Sequence, residues 1–368
     1  MKIKVWDYLN EYKDEKEEIE KAIDEVLSSG YLILGEKVKS FEKSFSQWCG
    51  VTFGVGVDNG TDALFLGLKA LNIGEGDEVI TVANTAVPTV SAITATGAKP
   101  VFVDVNPYSF LINADKIEEV ISSRTRCILV VHLFGQCADM KKINDIAHKN
   151  DLFVMEDCAQ SHGAEFEGKK AGSMSDLAAF SFYPTKILGG YGDGGMVITQ
   201  KQDLETKLRR LRFYGMEKTY YSLEQGYNSR LDELHASVLL KKLEHLDDYI
   251  TRRRYLASQY NEQLINSSLI LPREVKGNKH AYYLYVVRHP RRDIIIEELK
   301  KRDIFVNVSY PWPIHTMTGF KYLGYKSGDL PITEKLATEI FSLPMYPSLK
   351  EEEQQLVVSS LLDILKQL

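Results

Sequence analysis

Six short apolar runs between residues 58 and 200 constrain the fold of this chain more than any other feature. EVITV (78–82), PVFVDV (100–105), CILVVHLF (127–134), LFVMEDC (152–158), LAAFSFY (177–183) and GMVIT (195–199) are mostly apolar without interruption. A strand with one wet face alternates; a continuous apolar run belongs in a sheet covered on both faces. The segments between carry helical spacing, as in DALFLGLKAL (62–71) and DMKKINDIAHK (139–149). Such alternation builds an α/β domain around a largely parallel sheet. From about 230 to 268 the pattern turns long, charged and helical, which would carry the chain out of that sheet. HAYYLYVVRH (280–289) then reads as a strand, with RDIIIEELKKR and EEEQQLVVSSLLDILKQL as helices. The expected division is a large domain over 1–245, opening with a helical segment, and a smaller C-terminal α+β domain over 246–368.

Charge and cysteine usage narrow the function classes. The formal net charge of -6 gives no basic surface for a nucleic acid. Cys49, Cys127, Cys137 and Cys158 are scattered without a CxxC pair, so reduced thiols and no metal site are expected. The N-terminus lacks the apolar stretch of a signal peptide, and no apolar run approaches the roughly 18 residues of a membrane span. A soluble, cytoplasmic protein is expected.

Ligands of such sheets bind beyond the carboxyl ends of the strands, and three stretches fall there. In VDNGTDALFLGL, Asn59, Gly60 and Thr61 precede a helix, so free N–H groups and a hydroxyl point out of its N-terminus and suit a phosphate; a plain N-cap by Thr61 or Asp62 reads equally well. In VMEDCAQSHGA an apolar strand ends in Glu156 and Asp157. A carboxylate there either caps a turn or stays ionised by pairing with a cationic ring nitrogen. In FSFYPTKILGGYGDGG, Ser181 ends a strand and Lys186 follows a Pro-Thr turn. An amine held in a dry pocket becomes a nucleophile able to form a Schiff base with an aldehyde; otherwise Lys186 is a solvated loop lysine. Together the three are the handles needed by pyridoxal phosphate.

At these residues the sequence resembles the DegT/DnrJ/EryC1/StrS sugar aminotransferases, fold-type-I pyridoxal-phosphate enzymes related to aspartate aminotransferase. NGTDAL, EDCAQSHGA, FSFYPTKILGGYGDGG, GYNSRLDELHASVL and LPITEKLATEIFSLPMYP carry the resemblance, which runs from GYLILGEKVKSFEKSFSQWCGV onward. It implies that Lys186 forms the Schiff base with pyridoxal 5'-phosphate and later moves protons. Asp157 would pair with the pyridinium nitrogen and Gln160 would reach the ring hydroxyl. Gly60, Thr61 and Ser181 would hold the phosphate, and Asn228 would reach the phosphate of the neighbouring subunit in a homodimer with shared sites. Dehydratase relatives replace the lysine by histidine, so Lys186 points to transamination. In one place the chain departs from the pattern: where many members carry an aromatic residue stacked on the cofactor, ANTAVPT places Ala86. Either the stacking comes from elsewhere or aliphatic groups pack the ring.

The implied chemistry is ping-pong, with L-glutamate as amino donor, pyridoxamine 5'-phosphate as the intermediate form and a nucleotide-linked keto-deoxysugar as acceptor, deoxythymidine diphosphate being the family's commonest carrier. VSYPWPIH (308–315) resembles an element of enzymes acting on 3-keto-6-deoxy sugars, and Gln136 leans the same way. Tyr310 and His315, with Tyr183, are therefore candidate substrate residues, and amination at C3 is preferred over C4. Tyr310 and His315 could equally be packed loop residues, while His132 and His162 read as satisfied structural histidines. A cofactor-binding regulator without catalysis would need an added basic DNA-binding segment, which this acidic chain does not supply.

Overall fold

The computed structural model describes residues 2–368. The apolar runs form a seven-stranded sheet from β1 (Phe53–Val57), β2 (Glu78–Thr81), β3 (Lys99–Phe102), β4 (Thr125–Val131), β5 (Phe153–Asp157), β6 (Leu177–Ser181) and β7 (Gly195–Thr199). The spatial order is β1-β7-β6-β5-β4-β2-β3. All neighbours pair parallel except β7, which runs antiparallel to both β1 and β6. Five of the six strands expected from the sequence lie inside the sheet, and all of β2, β6 and β7 is buried. β1 was not expected: FGVGV carries two glycines, and its register against β7, Phe53 opposite Thr199 through Val57 opposite Gly195, makes it a strand.

Helices α1 (Tyr8–Ser29), α2 (Glu36–Cys49), α3 (Gly60–Ala70), α4 (Val87–Ala95), α5 (Met140–Lys149) and α6 (Gln202–Leu211) belong to this layer system. α3 packs on β6 and β7, and α2 packs on β1. The long helical stretch after residue 230 breaks at His245 into α7 (Glu233–Glu244) and α8 (Leu246–Leu264). The smaller α+β domain follows, with β8 (Tyr285–Arg288) antiparallel to β9 (Ile340–Leu343), flanked by α9 (Arg292–Lys301), α10 (Pro331–Glu339) and α11 (Glu351–Lys366). The run read as a strand from 280 is extended only from Tyr285.

A large apolar core lies around the seven-stranded sheet, and a second gathers α8, β8, β9, α9 and α11. Ile3 belongs to the second core and bridges Ile304, so the N-terminus packs against C-terminal residues. A small third cluster ties Ala83, Val90 and Phe102 to Ile314 and Leu330. Among the described residues no helix is long and apolar enough to cross a membrane. Parallel pairing sends the carboxyl ends of β1, β5 and β6 to one edge of the sheet, where antiparallel β7 begins; the site is built there.

Candidate functional site

At that edge three backbone segments meet almost without side chains between them. A Cβ on Gly60 would lie 2.6 Å from Cβ of Ser181, and one on Gly195 would lie 2.3 Å from the carbonyl oxygen of Asn59. Glycine at both positions lets the N-terminus of α3 press against the end of β6 and the start of β7. The cap of α3 is Asn59, not Thr61 or Asp62: its side-chain oxygen accepts the Asp62 N–H at 2.8 Å, while its carbonyl accepts that of Ala63. The N–H groups of Gly60 and Thr61 precede these bonds and stand at the cleft, where the helix dipole favours an anion.

The cleft itself has a volume of about 520 Å³ and brings together Gly60, Thr61, Asp157, Ser181, Tyr183 and Lys186. Strand geometry sorts the two carboxylates at the end of β5, because successive side chains leave opposite faces. Glu156 turns away from the cleft, fully buried, and accepts from His132 Nε2, the Gly172 and Met174 N–H groups and the Ser175 hydroxyl. Burial pushes its carboxyl up, yet these donors outweigh it and hold Glu156 below the usual range. Asp157 turns into the cleft. Its Oδ2 accepts from the Thr89 hydroxyl at 2.8 Å and its Oδ1 from the Ala159 N–H at 3.1 Å. Here burial wins: desolvation raises Asp157 above the ordinary value despite both bonds and the nearby Lys186 charge. A buried carboxylate short of a countercharge, facing a cavity, is built to receive a cation.

Lys186 sits on the loop after β6, its own N–H donating to Tyr183 C=O at 2.8 Å. It is half-buried in an open cleft, between the dry pocket and the solvated loop that the sequence left as alternatives. Its Nζ lies 5.0 Å from the ring centroid of Tyr283. Tyr183 is half exposed at the cleft wall. The position without the expected aromatic is occupied as Ala86 at the start of α4; with Pro88 and Ala159 it gives the cleft aliphatic walls. Of the polar lining side chains, Thr89 and Asp193 were not singled out in the sequence, and Asp62 was named only as a cap. Thr89 had a weak signal, its place one residue after Pro88 in the first turn of a helix; Asp193 had none beyond its motif.

Four expected residues lie outside this lining. Gln160 is buried behind it, its Oε1 accepting the Phe134 N–H at 2.9 Å and its amide nitrogen donating to the Tyr310 hydroxyl. Tyr310 adopts φ of 62° and stacks on Phe134, and burial pushes its hydroxyl up. His315 is fully buried in a short turn, with Nε2 3.0 Å from Glu334 Oε1. Asn228 is exposed, opposite Phe213 in an isolated bridge. His132 is satisfied as expected, donating to Glu156 and accepting the Ala138 N–H. His162 is a correction: neither ring nitrogen has a partner, and the imidazole packs among Phe45, Phe180 and Phe182. His132, Glu156 and Cys158 come within 4.8 Å of one another, but Glu156 is already saturated with donors.

The donor set matches one cofactor chemistry. A helix N-terminus beside a serine hydroxyl takes a phosphate, a buried carboxylate takes a ring cation, and a primary amine reaches an aldehyde between them. Comparison with known proteins agrees. The family model described as the DegT/DnrJ/EryC1/StrS aminotransferase family matches residues 13–362. The chain is 51% identical to dTDP-3-amino-3,4,6-trideoxy-alpha-D-glucose transaminase of Micromonospora megalomicea subsp. nigra, over 98% of each chain. It is 43% identical to a protein of Geobacillus stearothermophilus named as a pleiotropic regulatory protein, again over 98% of each. Among solved structures, S. venezuelae DesV in complex with a ketimine intermediate superposes with a TM-score of 0.98 at 37% identity, covering 100% of this chain and 99% of that one.

Proposed function

The chain belongs to the DegT/DnrJ/EryC1/StrS aminotransferase family, and we propose that it carries an amino group from L-glutamate to C3 of a nucleotide-linked 3-keto-6-deoxyhexose. The observation that carries this reading is the convergence of Lys186, Asp157 and the α3 N-terminus on one cleft. The family works with pyridoxal 5'-phosphate, and the cleft fits it. When bound, that cofactor supplies an aldehyde for an amine and a ring that takes up the electron pair freed at the amino-bearing carbon.

The protein's part follows from its own residues. The Gly60 and Thr61 N–H groups and the Ser181 hydroxyl would hold the phosphate, and the dipole of α3 would add to their pull. Asp157, fixed by Thr89 and Ala159, would keep a proton on the ring nitrogen; pairing of the two charges would relieve the burial that otherwise raises this carboxyl. Lys186 would be the amine that bonds the aldehyde at rest. Once free, its Nζ would take the proton from the α-carbon of glutamate in the first half-reaction and deliver one to C3 of the sugar in the second. Ala86, Pro88 and Ala159 shape the aliphatic walls between which the ring would lie.

Preference for C3 is supported by the name of the 51% identical Micromonospora protein and by the resemblance that VSYPWPIH carries; its Tyr310 is bonded to Gln160 behind the cleft lining. A homodimer is part of this reading. Tyr31 is 73% exposed with Leu32 and Ile33 bare beside it, and Tyr220 is 94% exposed with Tyr221 and Leu223 bare beside it, two apolar segments that a second copy would cover. Asn228 is exposed and so free to reach a neighbouring subunit's phosphate. The regulatory name of the Geobacillus relative belongs to that protein; here both Lys186 and Asp157 stand in the cleft.

The test supplies purified protein with pyridoxal 5'-phosphate, L-glutamate and, separately, the 3-keto and 4-keto forms of a deoxythymidine-diphosphate 6-deoxyhexose. The new amine is located by NMR. Nitrogen at C3 is expected, and nitrogen at C4 overturns the substrate assignment. Lys186→Ala is expected to lose the borohydride-reducible adduct; an intact adduct overturns the role of the lysine.

A further inference from the structure

We propose that Tyr283 is the positioning residue for the free amine of Lys186, its ring face being where the ammonium rests whenever the lysine is not bonded to cofactor. The proposal rests on reading Lys186 as the reactive amine. Tyr283 lies just before β8 of the smaller domain, whereas Lys186 follows β6 of the large one, so the contact crosses between them. Among the described residues, Lys186 Nζ makes no ion pair or hydrogen bond; the ring at 5.0 Å is its nearest identified partner.

The ring is held from several directions. Its hydroxyl lies 3.1 Å from Oγ1 of Thr185, the residue next to Lys186. Its carbonyl accepts from the buried Arg253 guanidinium at 3.1 Å. The flanking backbone is clamped to the 134–135 corner, where Ala281 N–H donates to Gly135 C=O and Leu284 N–H to Phe134 C=O. Gly135 packs so closely that a Cβ there would lie 2.8 Å from the Tyr283 nitrogen. A ring fixed this firmly offers a set place for a cation, and a partly buried ring face attracts ammonium more strongly than a wet one.

Transamination explains why such a place is needed. On that reading the lysine would be free of the cofactor from the first half-reaction to the end of the second, and would then have to return to the same carbon. Its four-carbon stem is flexible, and an amine that wandered into open solvent would have to be recaptured. The titratable groups that share this space are Asp157 and neutral His162 beside Lys186, with Tyr310 and Arg253 beside Tyr283. On its other side Lys186 lines a second cavity with Glu11, Glu15, Lys242 and Asp248. Tyr283→Phe removes the phenol, which acts on both Tyr310 and Arg253, while keeping the ring, and so separates the two effects.

The experiment measures the rate at which an amine-selective reagent labels Lys186 in the full, cofactor-free chain at one fixed pH, with the modified peptide quantified by mass. A ring that holds the amine against its face keeps it from the reagent, so Tyr283→Leu is expected to raise the labelling rate by about three- to tenfold. Tyr283→Phe keeps the ring and is expected to keep the rate. In the loaded enzyme the leucine variant should lose about three- to tenfold in kcat with the sugar KM unchanged. Should the leucine variant not fold, Tyr283→Met, closer in volume, carries the same expectation. A folded variant without the ring that labels at the original rate overturns the proposal, as does a phenylalanine variant that labels as fast as leucine. Either result leaves the borohydride adduct at Lys186 untouched, so loss of this inference is distinguishable from loss of the transaminase reading.

Discussion

The Thr89 hydroxyl donates to Oδ2 of Asp157 across 2.8 Å, and both groups are buried. Thr89 is free to donate because the Thr85 hydroxyl, also 2.8 Å away, can direct its own proton to the Thr89 oxygen. Asp157 is raised above 3.8 by burial, with the Thr89 bond the strongest opposing influence. A raised carboxyl is protonated at higher pH than usual, and only its ionised form can pair with a ring cation. Cofactor retention should therefore weaken on acidification, beginning at a higher pH than an ordinary aspartate would give. Thr89→Val keeps the shape and removes the donor. It is expected to weaken retention at pH 7.5 by about tenfold and to move the acid limb to higher pH. Equilibrium dialysis of pyridoxal 5'-phosphate from pH 4.5 to 8 reads both; unchanged retention would show that Thr89 does not support the carboxylate.

Gly60 tests the phosphate end of the cleft. A methyl group there would stand 2.6 Å from Cβ of Ser181 and 3.0 Å from its hydroxyl oxygen, so α3 and β6 must separate. Gly60→Ala is expected to cost about 1–3 kcal/mol of stability. It should also lower cofactor affinity by at least about tenfold, since charge-assisted bonds to a phosphate depend on short distances. Urea unfolding and dialysis measure the two separately. A stable variant with normal affinity would show that the close approach does not serve the phosphate.

Much of this arrangement was legible in the chain. Strand ends followed by Asp157 and Ser181, and a glycine before a helix, place side chains by local rules alone, and each of these residues reached the cleft. What escaped depends on distant partners. FGVGV has poor strand propensity and becomes β1 only by pairing with β7, far along the chain. Whether Lys186 sits in a dry pocket or on a solvated loop was left open, because how open a cleft is depends on what the smaller domain brings over it. Whether His315 faces substrate or packs within its loop was left open by YPWPIH; its ring direction is set by Glu334 on α10, which no spacing rule ties to it. Tyr283 was read merely as part of an alternating strand, and its ring reaches Lys186 because the chain turns before β8.

His162 gives the last prediction. Histidine in a core is normally hydrogen-bonded, yet both nitrogens of this ring lack partners among Phe45, Phe180 and Phe182. Burial pushes it from 6.5 down to about 3, with the Lys186 charge a smaller contribution. The folded chain thus keeps His162 neutral while the unfolded chain takes up a proton below pH 6.5. Its contribution to stability is intact above that value and falls as pH drops toward 3. His162→Phe removes this loss and two unsatisfied nitrogens. The variant should gain about 1 kcal/mol at pH 7.5, and its advantage over the parent should grow by about 2 kcal/mol by pH 5. His280, also pushed down to about 3 by burial, leaves the variant with part of the parent's acid sensitivity. Urea unfolding at the two pH values checks the difference, and an advantage that did not grow on acidification would mean that His162 is protonated in the folded chain after all.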